Sequence, residues 1–354
     1  MRRLKELGSE FWDVESTNNI NSSFDTHSIY MLSGRTALDF IIRDVMAQKP
    51  FKNVYIPSYC CHTMIEPFLK NGVDVIFYDV LINDNGGLKF DIDINMECDA
   101  IYVMQYFGYI DSQVETVAEI FNNRGITVIE DITHSAFCKL PRSKYADYVF
   151  GSYRKWTGLA SGAVVKKIKG NFLIDLPSKT NEKYFLMRRK AALLKREYIA
   201  KGFVDPKKTF LNDFERAEEY LSDCYQNYLI DNESFENFKY LDTDKIINQR
   251  RNNALAIIDN LSNLNYIKPI FSLKENDVPL FVPVLLDVDV RDDFNNYLKK
   301  NNIFCPTHWP LSKLHNISLK SKAIYLRILS LVCDQRYGEE EMRYLFNVLR
   351  DFKG

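Results

Sequence analysis

Three short stretches hold residue types that catalysis uses. In ITVIEDITHS an apolar run ends on Asp131, and His134 follows three residues later. A carboxylate at the end of a buried strand is costly unless something cationic faces it. It is either a turn cap or a group that holds a cation on a bound ligand. Twenty-four residues beyond Asp131, GSYRKWTGLASGAVV sets Lys155 among Ser152, Thr157, Gly158, Ser161 and Gly162. Such a lysine is an ordinary surface residue or, in a buried loop, an amine that sheds its charge easily and can form a Schiff base. In LSGRTALDF, Ser33, Gly34, Arg35 and Thr36 stand at a strand-to-helix junction. N–H groups at a helix start, joined by hydroxyls and an arginine, suit a phosphate, although Ser-Gly before a helix is also a routine cap.

These residues need a scaffold, and the pattern around them supplies one. SIYML (28–32) reads as a strand, 33–45 as a helix, NVYIP (53–57) as a strand stopped by proline, and 60–70 as a helix ended by Asn71-Gly72. VDVIFYDV (73–80) is again strand-like, with turn chemistry at 83–87. AIYVMQYFG (100–108), a helix over 112–123 and ITVIED (126–131) continue the alternation, followed by strands at 147–153 and 162–168. Strands alternating with helices predict βαβ units, a mainly parallel sheet and ligands at the strands' carboxyl ends. Residues 181–262 read as charged helices. Within them MRRKAALLKREYIAKG (187–202) reads as a solvated or partner-facing face, with an anionic-ligand contact as the alternative. A strand pair or bent strand at 278–288, a helix at 291–300, a strand at 328–334 and a closing helix at 338–352 complete a smaller α+β part. The expected division is a large α/β domain over 1–175, then a helical connection and small domain over 176–354.

Composition narrows the classes. The chain has 354 residues, with 46 Lys+Arg against 47 Asp+Glu and a net charge of −1, which argues against a nucleic-acid binder. No stretch approaches the ~18–20 uninterrupted apolar residues of a spanning helix. The charged start, MRRLKELGSEFWDVE, lacks the apolar core of a secretory signal, so a cytoplasmic protein is expected. Seven cysteines without a CxxC pair or histidines at ligand spacing read as reduced thiols, with no metal site.

A phosphate cradle, a strand-end aspartate and a downstream lysine are together the parts of a pyridoxal phosphate enzyme. The aspartate keeps the ring nitrogen protonated, and the lysine carries the Schiff base. The sequence resembles the DegT/DnrJ/EryC1/StrS sugar aminotransferases, which have the fold type I architecture. The resemblance runs through FWDVE, LSGRTAL, VYIPSYCCHTMIEPFLKNGVDVIFYDV, IYVMQYFG, VIEDITHSAF, the SYRK lysine and ILSLVCDQRYGEEEMRYLFNVL.

The resemblance implies Lys155 as the cofactor-bearing lysine and proton shuttle, Asp131 on the ring nitrogen and His134 near the ring's 3-oxygen. It implies phosphate contacts from the backbone of Gly34 and Arg35 and from the Ser152 hydroxyl. Where the family carries a ring-stacking aromatic this chain has Cys61, so Tyr59 or His62 is the substitute; Ser152 stands three residues before the lysine where the family has five. The family's Asn-Tyr-Arg segment, which reaches the partner subunit, has no counterpart. In FCPTHWPL, His308 is either a substrate contact or a turn residue with Trp309 packed under it. The implied activity is transfer of an amino group from an amino acid, glutamate foremost, to a keto-sugar, nucleotide-linked, in surface-polysaccharide or modified-sugar synthesis, by a homodimer. The alternatives are decarboxylation or elimination on a small amino acid, and a degenerate paralogue without activity.

Overall fold

The computed structural model describes residues 6–83, 86–139, 143–201 and 206–353. The first residues of the N-terminus, the centre of the 83–87 turn and Gly202 of the basic segment therefore lie outside the described residues. The chain divides into two compact units, one of Met1–Ser9, Phe51–Asp147 and Asp244–Gly354, the other of Glu10–Pro50 and Tyr148–Thr243. Both are assembled from separated segments, a division that a single cut at 175 does not reproduce.

In the first unit five strands lie in the order Leu88–Asp91, Asp74–Ile82, Asn53–Pro57, Ala100–Met104 and Thr127–Asp131. All neighbours are parallel except the pair between Leu88–Asp91 and Asp74–Ile82. Ala100–Met104 and Thr127–Asp131 are buried along their whole length, which explains their unbroken apolar sequence. The helix Ser112–Asn123 covers them with Val114, Val117, Ala118 and Phe121, and Asp111 caps it by accepting the Gln113 N–H at 2.9 Å. Because these strands run the same way, the segments after Pro57, Met104 and Asp131 emerge at one edge of the sheet. Those segments carry Tyr59, Phe107 and His134.

The same unit holds an antiparallel sheet of Lys268–Pro269, Val282–Leu285 and Ile328–Leu331, packed with the helices Val288–Lys300 and Glu339–Asp351 around Ile257, Val284, Phe294, Leu331 and Leu345. The expected strand over 278–288 shortens to Val282–Leu285, because the N–H groups of Val278 and Leu280 donate instead to the carbonyls of Gly108 (3.0 Å) and Phe107 (2.8 Å). Likewise 328–334 stops at Leu331, and Asn253 takes the Cys333 and Asp334 carbonyls. The strand Leu88–Asp91 and the helix Leu319–Arg327 are additions to the sequence reading.

In the second unit Ala163–Lys167 lies between Ile29–Met31 and Tyr148–Ser152, antiparallel to both. The helix Gly34–Gln48 packs on these strands, and the long helices Glu182–Lys201 and Pro206–Asp223 pack on each other through Ala191, Phe210 and Phe214. The basic segment is less solvated than its composition suggests. Arg188 is buried, and Lys195 is fully buried over the rings of Trp12 and Phe210. The segment borders a cavity of about 230 Å³ whose arginines each face a carboxylate: Arg188–Glu10 at 3.2 Å, Arg189–Glu233 at 3.3 Å and Arg196–Asp13 at 4.0 Å.

Candidate functional site

The first unit presents a buried carboxylate. Asp131, 4% exposed, ends its strand opposite Met104. Its Oδ1 accepts the Thr133 N–H at 2.7 Å, and its Oδ2 accepts the Tyr102 hydroxyl from the neighbouring strand. Burial pushes the Asp131 carboxyl above its usual range, opposed only by these neutral donors of Thr133 and Tyr102. Among the described residues no cationic side chain pairs with it. Burial and the adjacent Asp131 charge push the Tyr102 phenol well up, so it stays a donor.

His134 lies beyond the turn that Asp131 starts. Its Nδ1 accepts the Phe107 N–H at 3.2 Å. Its ring stacks on Trp309 with centroids 5.5 Å apart at 25°, and lies 5.2 Å from the Phe107 ring. His308 has its Nδ1 2.7 Å from Ser330 Oγ and its ring 4.9 Å from that of Phe281.

Tyr59 is fully buried, donates its hydroxyl to the His308 carbonyl, and packs its ring among Tyr106, Trp309 and Tyr325. A ring so enclosed is a poor stacking platform for a ligand. Trp309, packed against it, is partly exposed.

The second unit presents a helix start and a lysine. Ser33 Oγ accepts the Thr36 N–H at 3.2 Å, and the Thr36 hydroxyl donates to the Tyr225 carbonyl at 2.7 Å. The cap leaves the Gly34 N–H, the first of the helix, with no acceptor among the described residues. A Cβ on Gly34 would stand 3.4 Å from the Ser152 Cβ, so the serine lies beside the helix start. The Arg35 guanidinium donates to Ser222 Oγ at 2.9 Å and stands 3.8 Å from Glu218.

Lys155 closes a single helical turn, Tyr153–Lys155, held by the Trp156 N–H on the Tyr153 carbonyl at 2.9 Å. Trp156, Thr157 and Leu159 around it are buried, but Lys155 itself is exposed, the surface alternative of the sequence reading. Its amine makes no hydrogen bond or ion pair with any described residue.

The neighbouring Arg154 anchors this turn on Glu218, with its guanidinium over the Tyr184 ring. Glu218 also receives the Tyr184 hydroxyl at 3.1 Å and Arg188 at 3.5 Å. Burial opposes its charge, but Arg154, Arg188 and then Lys155 hold its carboxyl well below the usual range. A depressed carboxyl stabilises the fold above its unfolded value and loses that contribution as pH falls through its folded one. Glu218→Gln is therefore expected to lower stability by about 1 kcal/mol at neutral pH, the carboxylate being part-exposed and screened. In urea melts the deficit should begin to shrink below about pH 4, the unfolded value, and fade as pH falls further toward the folded one. A pH-independent deficit would assign the loss to packing.

Tyr102, Phe107, Trp309 and the Glu218 cluster were not singled out as site residues from the sequence. Each acts through a partner on another element, and only the Trp309 segment carried a local signal.

No family model and no curated protein matches the chain. Solved structures do. The aminotransferase TlmJ from Streptoalloteichus hindustanus matches with a TM-score of 0.66 at 14% identity, over 92% of this chain and 85% of that one. DesI, solved in the presence of its TDP-sugar product, matches at 0.63 and 14%, over 92% and 80%. Spr1654 from Streptococcus pneumoniae, described as a sugar aminotransferase in its PLP form, matches at 0.61 and 14%, over 90% and 85%. At these identities the likeness establishes the fold: the chain has the fold type I architecture of the sugar aminotransferases. No helix among the described residues is long and apolar enough to cross a membrane.

Proposed function

We propose that the protein is a pyridoxal phosphate-dependent aminotransferase that moves an amino group from an amino acid to a keto-sugar. The observation that carries this reading is Asp131, a carboxylate 4% exposed and held by two neutral donors, with no cationic partner among the described residues. A protonated ring nitrogen supplies the missing cation, so the residues fit the cofactor. When bound, pyridoxal phosphate supplies an electron-accepting ring that stabilises negative charge at the substrate carbon.

The chain's own residues do the rest. The Gly34 N–H and the Ser152 hydroxyl bind the phosphate, aided by the helix start. Asp131 holds the proton on the ring nitrogen. His134 donates to the ring's 3-oxygen. Lys155, whose amine makes no hydrogen bond or ion pair with any described residue, holds the cofactor and moves the proton at the substrate carbon. Glutamate is the proposed donor and a nucleotide-linked keto-sugar the proposed acceptor. The TDP-sugar in the DesI structure supports the acceptor. A cytoplasmic homodimer working in surface-polysaccharide or modified-sugar synthesis completes the reading.

The test is the visible spectrum of the purified protein with pyridoxal phosphate, before and after glutamate. A lysine-linked band that glutamate converts to the pyridoxamine form, with release of 2-oxoglutarate, is the expected result. A band unmoved by any amino acid donor would overturn transamination, and no band would overturn the cofactor.

A further inference from the structure

We infer that the turn Tyr106–Tyr109 fixes the tautomer of His134, making the imidazole an Nε2–H donor before any ligand arrives. This rests on the functional reading only for the identity of the acceptor, the ring oxygen of the cofactor.

The two tautomers of a neutral imidazole are close in energy, and the hydrogen bond made by one nitrogen decides where the proton sits. Here the Phe107 N–H donates to Nδ1 at 3.2 Å. Nδ1 is thereby an acceptor, and the ring proton belongs on Nε2. A backbone donor is a firmer director than a hydroxyl, which can rotate to give or to accept.

The backbone around that donor is unusual. Phe107 has φ 56°, a left-handed conformation that bulky residues seldom adopt. Three backbone bonds hold it there. The Tyr109 N–H closes the turn on the Tyr106 carbonyl at 3.0 Å, while the Phe107 and Gly108 carbonyls receive the N–H groups of Leu280 and Val278 at 2.8 and 3.0 Å. Gly108, at φ 84°, lets the segments approach this closely, since a Cβ there would stand 1.8 Å from the Val278 carbonyl oxygen. The same segment that fails to extend the strand Val282–Leu285 thus clamps the turn that aims a proton donor at His134. The Phe107 and Trp309 rings, 5.2 and 5.5 Å from the imidazole, hold its plane. Phe107 and Gly108 are accordingly positioning residues, acting through His134.

The tautomer can be read directly on the full chain without cofactor, by nitrogen-15 NMR of labelled histidines. The chain has five, and the His134 signals are identified by their loss in His134→Gln. The expected result is an Nε2–H ring at neutral pH, retained in Phe107→Leu, which keeps the backbone donor. Gly108→Ala should shift the ring toward a mixture. If that variant does not fold, the wild type and Phe107→Leu decide alone. An Nδ1–H ring or an imidazolium in the wild type would overturn the inference, as would a tautomer that changes in Phe107→Leu. Addition of pyridoxal phosphate should then move the Nε2 resonance. A visible band with an unmoved Nε2 would overturn the donor role and leave the proposed cofactor standing. No band with an Nε2–H ring would count against the cofactor and for the turn.

Discussion

Lys155→Ala is expected to abolish turnover, by about 10⁴-fold or more, the upper range for removing a positioned proton-transfer group that also holds the reactive centre. The fold should not notice. Lys155 is exposed, its side chain bonds to nothing among the described residues, and the turn that carries it is closed by backbone atoms of Tyr153 and Trp156 and anchored by Arg154 on Glu218. Surface substitutions of this kind stay within about 0.5 kcal/mol of wild type. A large catalytic loss with an unchanged urea midpoint separates chemistry from structure. A second readout makes the residue assignment direct: borohydride reduction of the protein with pyridoxal phosphate, followed by peptide mass spectrometry, should place the label on Lys155. Label on any other lysine, or turnover that survives the alanine, would sink the assignment. Lys155→Arg should fail equally, because a guanidinium keeps its proton and cannot act as the amine.

What could be read in advance divides along a physical line. Asp131 was legible because a buried parallel strand needs an unbroken apolar run, and ITVIED breaks it at the end. The helix starts at Gly34 and Ser112 were legible because Ser33 and Asp111 are local caps. Lys155 was read in a run of small residues between two strands, but its exposure depends on which way the turn Tyr153–Lys155 faces, and such a run does not encode direction. Tyr102 was not legible as a partner of Asp131. It lies two residues before Met104, which pairs with Asp131, so the contact is diagonal across two strands and exists only once the register is fixed. Phe107 and Gly108 were read as the end of a strand, since aromatic residues favour that state. The approach of Val278, distant in the chain, instead turns the backbone left-handed there. Local chemistry thus announces the reactive groups, while the groups that orient them belong to tertiary pairing.

Asp131→Asn is expected to split stability from activity in opposite directions. Burial raises the Asp131 carboxyl above its usual range, so ionising it in the folded, cofactor-free protein costs stability. A carboxyl raised on folding contributes its stability in full below the unfolded value, and loses it as pH rises through the folded one. At neutral pH the cofactor-free wild type therefore carries the cost of a buried carboxyl that no cation among the described residues offsets. Asparagine has the same shape and does not ionise. Its Oδ1 can still accept the Thr133 N–H, and the Tyr102 hydroxyl can turn to accept from its Nδ2. The cofactor-free variant should be more stable by about 1 kcal/mol at neutral pH, an advantage that shrinks on acidification. With pyridoxal phosphate the order reverses. Without a carboxylate the ring nitrogen loses its counter-charge, cofactor affinity falls, and turnover drops by about 10²–10³-fold, the scale for removing a preorganised electrostatic partner. A purely structural aspartate would behave the other way, losing stability on substitution and keeping its rate. Urea melts across pH, paired with turnover of the same preparations, decide between the two, because only a carboxylate that awaits a cation is costly when empty and needed when filled.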